Sequence, residues 1–302
     1  MLELGERSGA AHRIRLPPAV QTSQSTYRGL QCAPGTPGGA TAREHKLPDR
    51  TAFVGSHITW GHWILDYLPR IGVYNQLQDK DDRKIITGVL NNGQKQCLSC
   101  FGIDLNNIIE LNTDTLSFNC YHGSDMALLM TPPPSVACDI VREGFVKTAQ
   151  RINGPRYLYL SRRHLYPRHR VSNEEEVSAY LESKGFQIVI IDQLPFEDQI
   201  NVMAGANIVV VPYGSDFMNL TMCNPNCVVV TLINRDLVEK WPEDQAEILI
   251  MKYLFSIGIP VVMAYGYPAV PGESITNSFD IPAHYDLKEL DQALERAFSL
   301  KA

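Results

Sequence analysis

The sequence predicts an α/β protein with two Rossmann-like halves facing each other across a cleft, and three observations carry that expectation. Short apolar runs alternate with amphipathic helical stretches in two successive series. With 302 residues and 44% hydrophobic content, the chain suffices for one large or two medium α/β domains. From Leu194 to Asn219 a helix, an apolar strand, a tight turn at Tyr213-Gly214-Ser215 and a second helix follow directly on one another.

Residues 1–50 differ from the rest and are expected to form an irregular N-terminal arm. Gln21 to Ala40 is rich in Gly, Pro, Ser and Thr, is centred on Pro34-Gly35-Thr36-Pro37-Gly38-Gly39, and has no apolar period. The first α/β half spans residues 51–150. Strands are expected at Ala52–Val54, Lys84–Leu90, Asn107–Leu111 and Met126–Leu129, with helices at Trp60–Leu77 and Gln94–Phe101. A longer helix follows Pro132-Pro133-Pro134, with Val136, Ile140 and Phe145 on its apolar face.

The second half, residues 151–285, opens with a strand at Arg156–Leu160. Ser172 or Asn173 caps a helix whose first turn, Glu174-Glu175-Glu176, is acidic where the helix dipole favours it. Val177, Tyr180 and Leu181 form its buried stripe, and Gly185 ends it. A strand at Gln187–Ile191 and a helix with Ile200, Met203 and Ala204 inward come next. The strand Ile208–Val211, the turn, a short helix and the strand Cys227–Ile233 complete a βαβαβαβ series, the pattern of a parallel, doubly wound sheet. A last helix, residues 286–302, is expected to pack back on the first half.

Charge and composition narrow the function classes. A net charge of −6 and a pI near 5.8 argue against a nucleic-acid partner bound by phosphate neutralisation. No apolar run approaches the ~18 residues of a membrane span, and the opening residues MLELGERSGAAHRIR lack the apolar core of a signal peptide. The expectation is a soluble cytoplasmic protein, with peripheral membrane contact left open. Of the seven cysteines only Cys97 and Cys100 have ligand-like spacing, and no second pair accompanies them. Free thiols in a reducing compartment fit better than zinc.

Several residues could carry chemistry. A Gly-containing turn between a strand's C-terminal end and a helix start directs backbone N–H groups at a phosphate, although any βα connection needs a turn residue. Arg162 and Arg163 follow a strand end, and a guanidinium fork suits a diphosphate; strand alternation lets one of the two reach the cleft. His62, Asp66 and Arg70 recur every four residues and so share a helix face. That row reads as catalytic machinery or as an i,i+4 salt-bridge ladder, with Pro69 breaking the helix before Arg70. His62 also reads as a packed histidine beside Trp60 and Trp63. Arg168 and Arg170 either close over a ligand or form a solvated basic loop. Asp79-Lys80-Asp81 has the form of a metal triad, but it sits in the charge run DKDDRK and reads as a solvated loop. His122-Gly123-Ser124-Asp125 echoes Tyr213–Asp216 and reads as a chance turn. No GxGxxG follows any expected strand, which argues against an NAD enzyme.

Taken in order, these motifs resemble glycosyltransferase family 61. The family pattern opens with a His, an Asp four residues later and a Pro-Arg, matched by His62, Asp66 and Pro69-Arg70. A strand ending in Ser-Arg follows, here Tyr159-Leu160-Ser161-Arg162, then basic residues and Asn173-Glu174-Glu175. Gly185-Phe186 comes next, then Phe196 and Gln199 ahead of Ala206-Asn207-Ile208-Val209, and Tyr213-Gly214-Ser215 with Asn219 before the strand from Cys227. The chain departs from the pattern at Tyr213, where the family has His, and at Ser215, where it has Ala. An acid, Asp216, opens the following helix. The resemblance implies the GT-B architecture and metal-independent, inverting transfer of a sugar from a nucleotide sugar such as a UDP-sugar, with no cofactor. The acceptor it implies is a hydroxyl of a glycan, glycolipid or similar molecule, in cell-envelope polysaccharide synthesis. Asp66 is then the base with His62 beside it. The donor is held by Arg162, Arg163, Arg168, Tyr213, Gly214, Ser215, Asp216 and Asn219. The departures sustain a second reading, a catalytically inactive sugar-nucleotide-binding relative.

Overall fold

Runs of β-branched residues between turn residues form two parallel-rich sheets in this computed structural model, which makes the protein mixed α/β. The structure describes residues 20–23, 43–111, 119–122, 125–132, 134–149, 154–165, 170–224, 226–240, 258–268 and 282–301.

The first sheet contains β1 (Val20–Ser23), β3 (Arg50–Phe53), β4 (Lys84–Gly88), β5 (Ile108–Leu111) and β7 (Asp125–Leu129), in the order β1-β7-β3-β4-β5. All pairs are parallel except β1 with β7, where Val20 lies opposite Leu129. A separate parallel ribbon joins β2 (Arg43–Lys46) to β6 (Asn119–His122). The arm is therefore not irregular throughout: residues 20–23 and 43–46 are strands, while 1–19 and 24–42 lie outside the described residues.

The second sheet contains β8 (Tyr157–Leu160), β9 (Gln187–Val189), β10 (Ile208–Pro212), β11 (Val228–Asn234), β12 (Val261–Pro268) and β13 (Ala283–His284). Its order is β13-β12-β11-β10-β8-β9, parallel except at β13. Every residue of β10 and β11 is buried, as a strand covered on both faces requires. Alternation divides them: Val209 and Val211 face one apolar cluster, Ile208 and Val210 the other.

Helices fill both faces. The first begins as α1 (Trp60–His62), continues through a π-helical turn (Trp63–Tyr67), and resumes as α2 (Leu68–Tyr74). Pro69 does not break it, because proline in the first turn of a resumed helix lacks only an N–H that had no partner there. The other helices are α3 (Asn92–Cys100), α4 (Pro134–Thr148), α5 (Glu174–Ser183), α6 (Phe196–Gly205), α7 (Arg235–Lys240) and α8 (Leu287–Lys301). A 3-10 helix spans Ser215–Met222. Asn91 caps α3 through a reciprocal box with Gln94.

One cluster of buried side chains runs through both sheets, from Ala52 and Val54 through Ile71, Phe145 and Phe196 to Val209 and Phe217. Phe145 is its hub, meeting Phe101 and Phe196 at ring-centroid distances of 5.8 and 5.9 Å, both edge-on. Burying such a ring contributes roughly 1.5–3 kcal/mol. On the opposite face of the second sheet, α5 and α8 bury Val177, Leu181, Leu290 and Leu294 against β8, β10 and β11. The last helix thus packs on the second sheet rather than back on the first half, with Phe298 edge-on to Tyr157. Among the described residues no helix is long and apolar enough to cross a membrane.

Candidate active site

The second sheet dictates where a ligand can lie. From β8 the chain passes to β9 on one side, then returns to β10 on the other, so the crevice between the carboxyl ends of β8 and β10 is its topological switch point. Arg162 leaves the end of β8, and Gly214 leaves the end of β10. Arg162 is 4% exposed, whereas Arg163 is turned to solvent, so one of the two arginines enters the crevice. A methyl group on residue 214 would lie 2.5 Å from Arg162 Nη1, and glycine is what allows the guanidinium to pack on this turn.

Arg162 is only partly satisfied. Asp216 Oδ2 lies 3.2 Å from its Nη1, an ion pair without hydrogen-bond alignment, while Nε and Nη1 are buried with no acceptor among the described residues. Orphaned buried donors cost roughly 1–3 kcal/mol each and call for an acceptor from outside. Desolvation pushes the Asp216 carboxyl above its ordinary range, and Arg162 pulls it back. A buried network fixes the strand that delivers Arg162. Tyr159 and Ser161 both donate to Glu174 at the start of α5, at 2.7 and 2.5 Å. Burial, reinforced by Glu174, holds the Tyr159 phenol well above its usual pKa.

The α1 helix is locked onto this turn. Trp60 Nε1 donates to buried Asn219 Oδ1 at 2.7 Å. A methyl group on Gly61 would stand 3.8 Å from Ser215 Cα and from the Met218 side chain, ordinary van der Waals contact. His62 therefore sits one residue from the turn. Its Nδ1 is 2.9 Å from Asp66 Oδ2, both side chains about half exposed. Arg70 does not extend the pair into a ladder. The π turn adds a residue per repeat and rotates Arg70 inward, where it donates to Val54 O at 2.9 Å and Thr131 Oγ1 at 3.0 Å. It thereby bridges the carboxyl ends of β3 and β7, the switch point of the first sheet.

The sequence model described as Glycosyltransferase 61 matches residues 60–230, more than half of the chain, and covers both the His62–Asp66 pair and the Arg162–Gly214 turn. The chain belongs to glycosyltransferase family 61. No curated protein matches it. Membership makes it a glycosyltransferase in general terms, with donor and acceptor substrates.

Within this family 61 chain the motif residues divide by placement. Arg162, Gly214, Ser215 and Asp216 line the crevice. Asn219 is occupied by Trp60, and the Tyr213 ring is buried in the core with its centroid 5.5 Å from that of Phe217, while the Tyr213 backbone N donates to Leu232 O at 2.9 Å. Arg163 lies apart with Val171–Glu176 and Ser178, around a groove of about 760 Å³ at the start of α5. Arg168 lies outside the described residues. Arg170 holds a left-handed φ of 72° at the edge of the site. Asp79 is bound to Arg83 Nη2 at 2.8 Å, and Arg83 also holds Asp125 at 3.0 Å. These bonds press the Asp79 carboxyl below its usual range and join β4 to β7. Among the described residues no three His, Cys, Asp or Glu side chains gather to hold a metal ion. Cys97 and Cys100 are free thiols.

Sequence reasoning overlooked two features. Glu174 was legible only as a favourable helix-start acid, yet it is the buried acceptor that anchors β8. His57 showed no signal, since it precedes the helix. Its ring centroid nevertheless lies 4.5 Å from that of His62, and its Nδ1 accepts from Thr59 N at 3.0 Å.

Proposed function

We propose that this family 61 protein moves a sugar, with inversion, from a nucleotide sugar such as a UDP-sugar to a hydroxyl of a glycan, glycolipid or similar acceptor. The single observation that carries the reading is Arg162. It is a buried guanidinium at a switch point whose Nε and Nη1 have no acceptor among the described residues, and the turn beside it is hydrogen-bonded through Asn219 and Trp60 to the helix bearing the His–Asp pair. Inverting transfer needs a base for the acceptor proton, in-line attack at the anomeric carbon, and positive charge for the departing diphosphate. Arg162 and the Gly214–Asp216 backbone supply the last without a metal or other cofactor. The His62–Asp66 pair supplies the first. In this reading residues 51–150 present the acceptor and residues 151–285 the nucleotide, as two GT-B-like domains with residues 1–50 as an arm. In this reading the protein works at the cytoplasmic side in cell-envelope polysaccharide synthesis, with peripheral membrane contact.

The Asp216–Arg162 pair favours a second reading, a relative that binds nucleotide sugars without turning them over. A panel of UDP-, GDP-, dTDP- and CMP-sugars tested by thermal shift, followed by nucleotide release in the presence of methyl glycosides, separates the two. Binding with acceptor-dependent release supports transfer. Binding without release for any donor supports the second reading, and no binding at all refutes both.

A further inference from the structure

The proposed function leaves open which member of the His62–Asp66 pair takes the proton. Asp66 meets His62 at Nδ1, and a carboxylate accepts hydrogen bonds but does not donate them. The proton of a neutral His62 ring therefore resides on Nδ1, and the free lone pair lies on Nε2, the atom facing away from Asp66. A base whose tautomer is fixed by a carboxylate on its far nitrogen is the arrangement by which the imidazole of a Ser-His-Asp triad deprotonates a hydroxyl.

A second imidazole restrains the first. His57 follows the carboxyl end of β3, and its backbone is clamped because buried Gln94 donates to His57 O at 2.7 Å. Thr59 N donates to His57 Nδ1 at 3.0 Å, so the neutral His57 ring bears its proton on Nε2. That ring lies against His62 at a 58° tilt and is stacked 6.3 Å from Tyr67, which in turn carries the Arg70 guanidinium 4.7 Å over its face. His62 is thus held by Asp66 at Nδ1 and flanked by the tilted ring of His57.

We infer that His62 Nε2 removes the acceptor proton, with Asp66 and His57 as positioning residues that fix its tautomer and ring plane. This rests on the transferase reading. The acceptor O–H proton moves to Nε2, the oxygen's electron pair forms the new bond to the anomeric carbon, and the bond from that carbon to the diphosphate oxygen breaks with its pair leaving on the diphosphate. Nothing is oxidised or reduced.

Long-range proton–nitrogen NMR of the protein labelled at histidine nitrogens reads the tautomers without any substrate. His62 should show the Nδ1–H form and His57 the Nε2–H form, and Asp66→Asn should convert His62 toward Nε2–H. For chemistry, nucleotide release by the donor that the sugar panel selects is compared in wild type, His62→Ala and His57→Ala. His62→Ala should lose on the order of 10²–10⁴-fold in kcat. Added imidazoles should restore part of that loss, more strongly as their basicity increases. His57→Ala should lower kcat while leaving the donor KM and the melting temperature unchanged. An Nε2–H tautomer at His62, or a His62→Ala enzyme within a few-fold of wild type, overturns the inference, as does a lost rate that no imidazole restores. Those results leave the transferase reading standing, whereas a wild-type protein that releases no nucleotide from any donor removes that reading and the inference with it.

Discussion

Replacing Asp216 with asparagine should tighten the binding of UDP. Asp216 Oδ2 lies 3.2 Å from Arg162 Nη1, and its side chain is 20% exposed, so it shares a poorly solvated space with the diphosphate's proposed partner. A phosphate accepting from Arg162 would stand about 6 Å from that carboxylate, where unit charges repel by roughly 3 kcal/mol at an effective dielectric of ~20. Screening by water at the exposed edge and the raised pKa of the carboxyl reduce this ceiling. About 1–2 kcal/mol remains, equivalent to roughly five- to thirtyfold in Kd. Titration calorimetry with UDP on wild type and Asp216→Asn measures it. The sign with pH is fixed by the direction of the shift. As pH falls from neutral toward the raised pKa, wild-type Asp216 becomes neutral and its affinity should approach that of the variant; as pH rises, the gap should widen to its full value. Taking the ratio of the two affinities cancels the ligand's own titration. Equal or weaker binding by the variant throughout would show that no phosphate approaches Arg162 beside Asp216.

Three further outcomes follow from the same geometry. Turnover should survive EDTA, because Asp79 is committed to Arg83 and the charge of the leaving group falls to Arg162; loss on chelation that Mn²⁺ restores would count against this assignment. Gly214→Ala places a methyl 2.5 Å from Arg162 Nη1 and should displace the guanidinium, costing about 1–3 kcal/mol of UDP affinity by calorimetry; unchanged affinity would mean the two do not meet as described. Trp60→Phe removes the donor to buried Asn219 Oδ1 and should lower stability by about 1–3 kcal/mol in denaturant unfolding; an unchanged midpoint would mean that water replaces the indole at no cost.

Much of the fold was legible because sheet strands and amphipathic helices write their periods locally. The runs at 84–88, 157–160, 208–212 and 228–234 carry apolar residues on both faces, are short and rich in β-branched or aromatic residues, and alternate with helical stretches, which together mark buried parallel strands. β1 escaped notice because four residues, Val20–Ser23, complete an edge whose partner β7 lies about a hundred residues away in sequence. The π turn escaped for a different reason. Trp63–Tyr67 suits an α-helix equally well, and only packing inserts the extra residue that sends Arg70 inward. At the candidate site, strand alternation anticipated the burial of Arg162 and the exposure of Arg163. The Asp216 ion pair and the orphaned Arg162 donors were not readable, since both arise from the distance between two strand ends that β9 separates in sequence.

Whether Arg162 holds a nucleotide diphosphate decides the proposed function most directly. Calorimetry of UDP binding to wild type and Arg162→Ala measures this, with melting temperatures recorded to confirm folding. Hydrogen bonds to charged groups are worth about 1.5–3 kcal/mol, so the variant should bind roughly 10- to 150-fold more weakly. A folded Arg162→Ala protein that binds UDP as tightly as wild type would contradict the account.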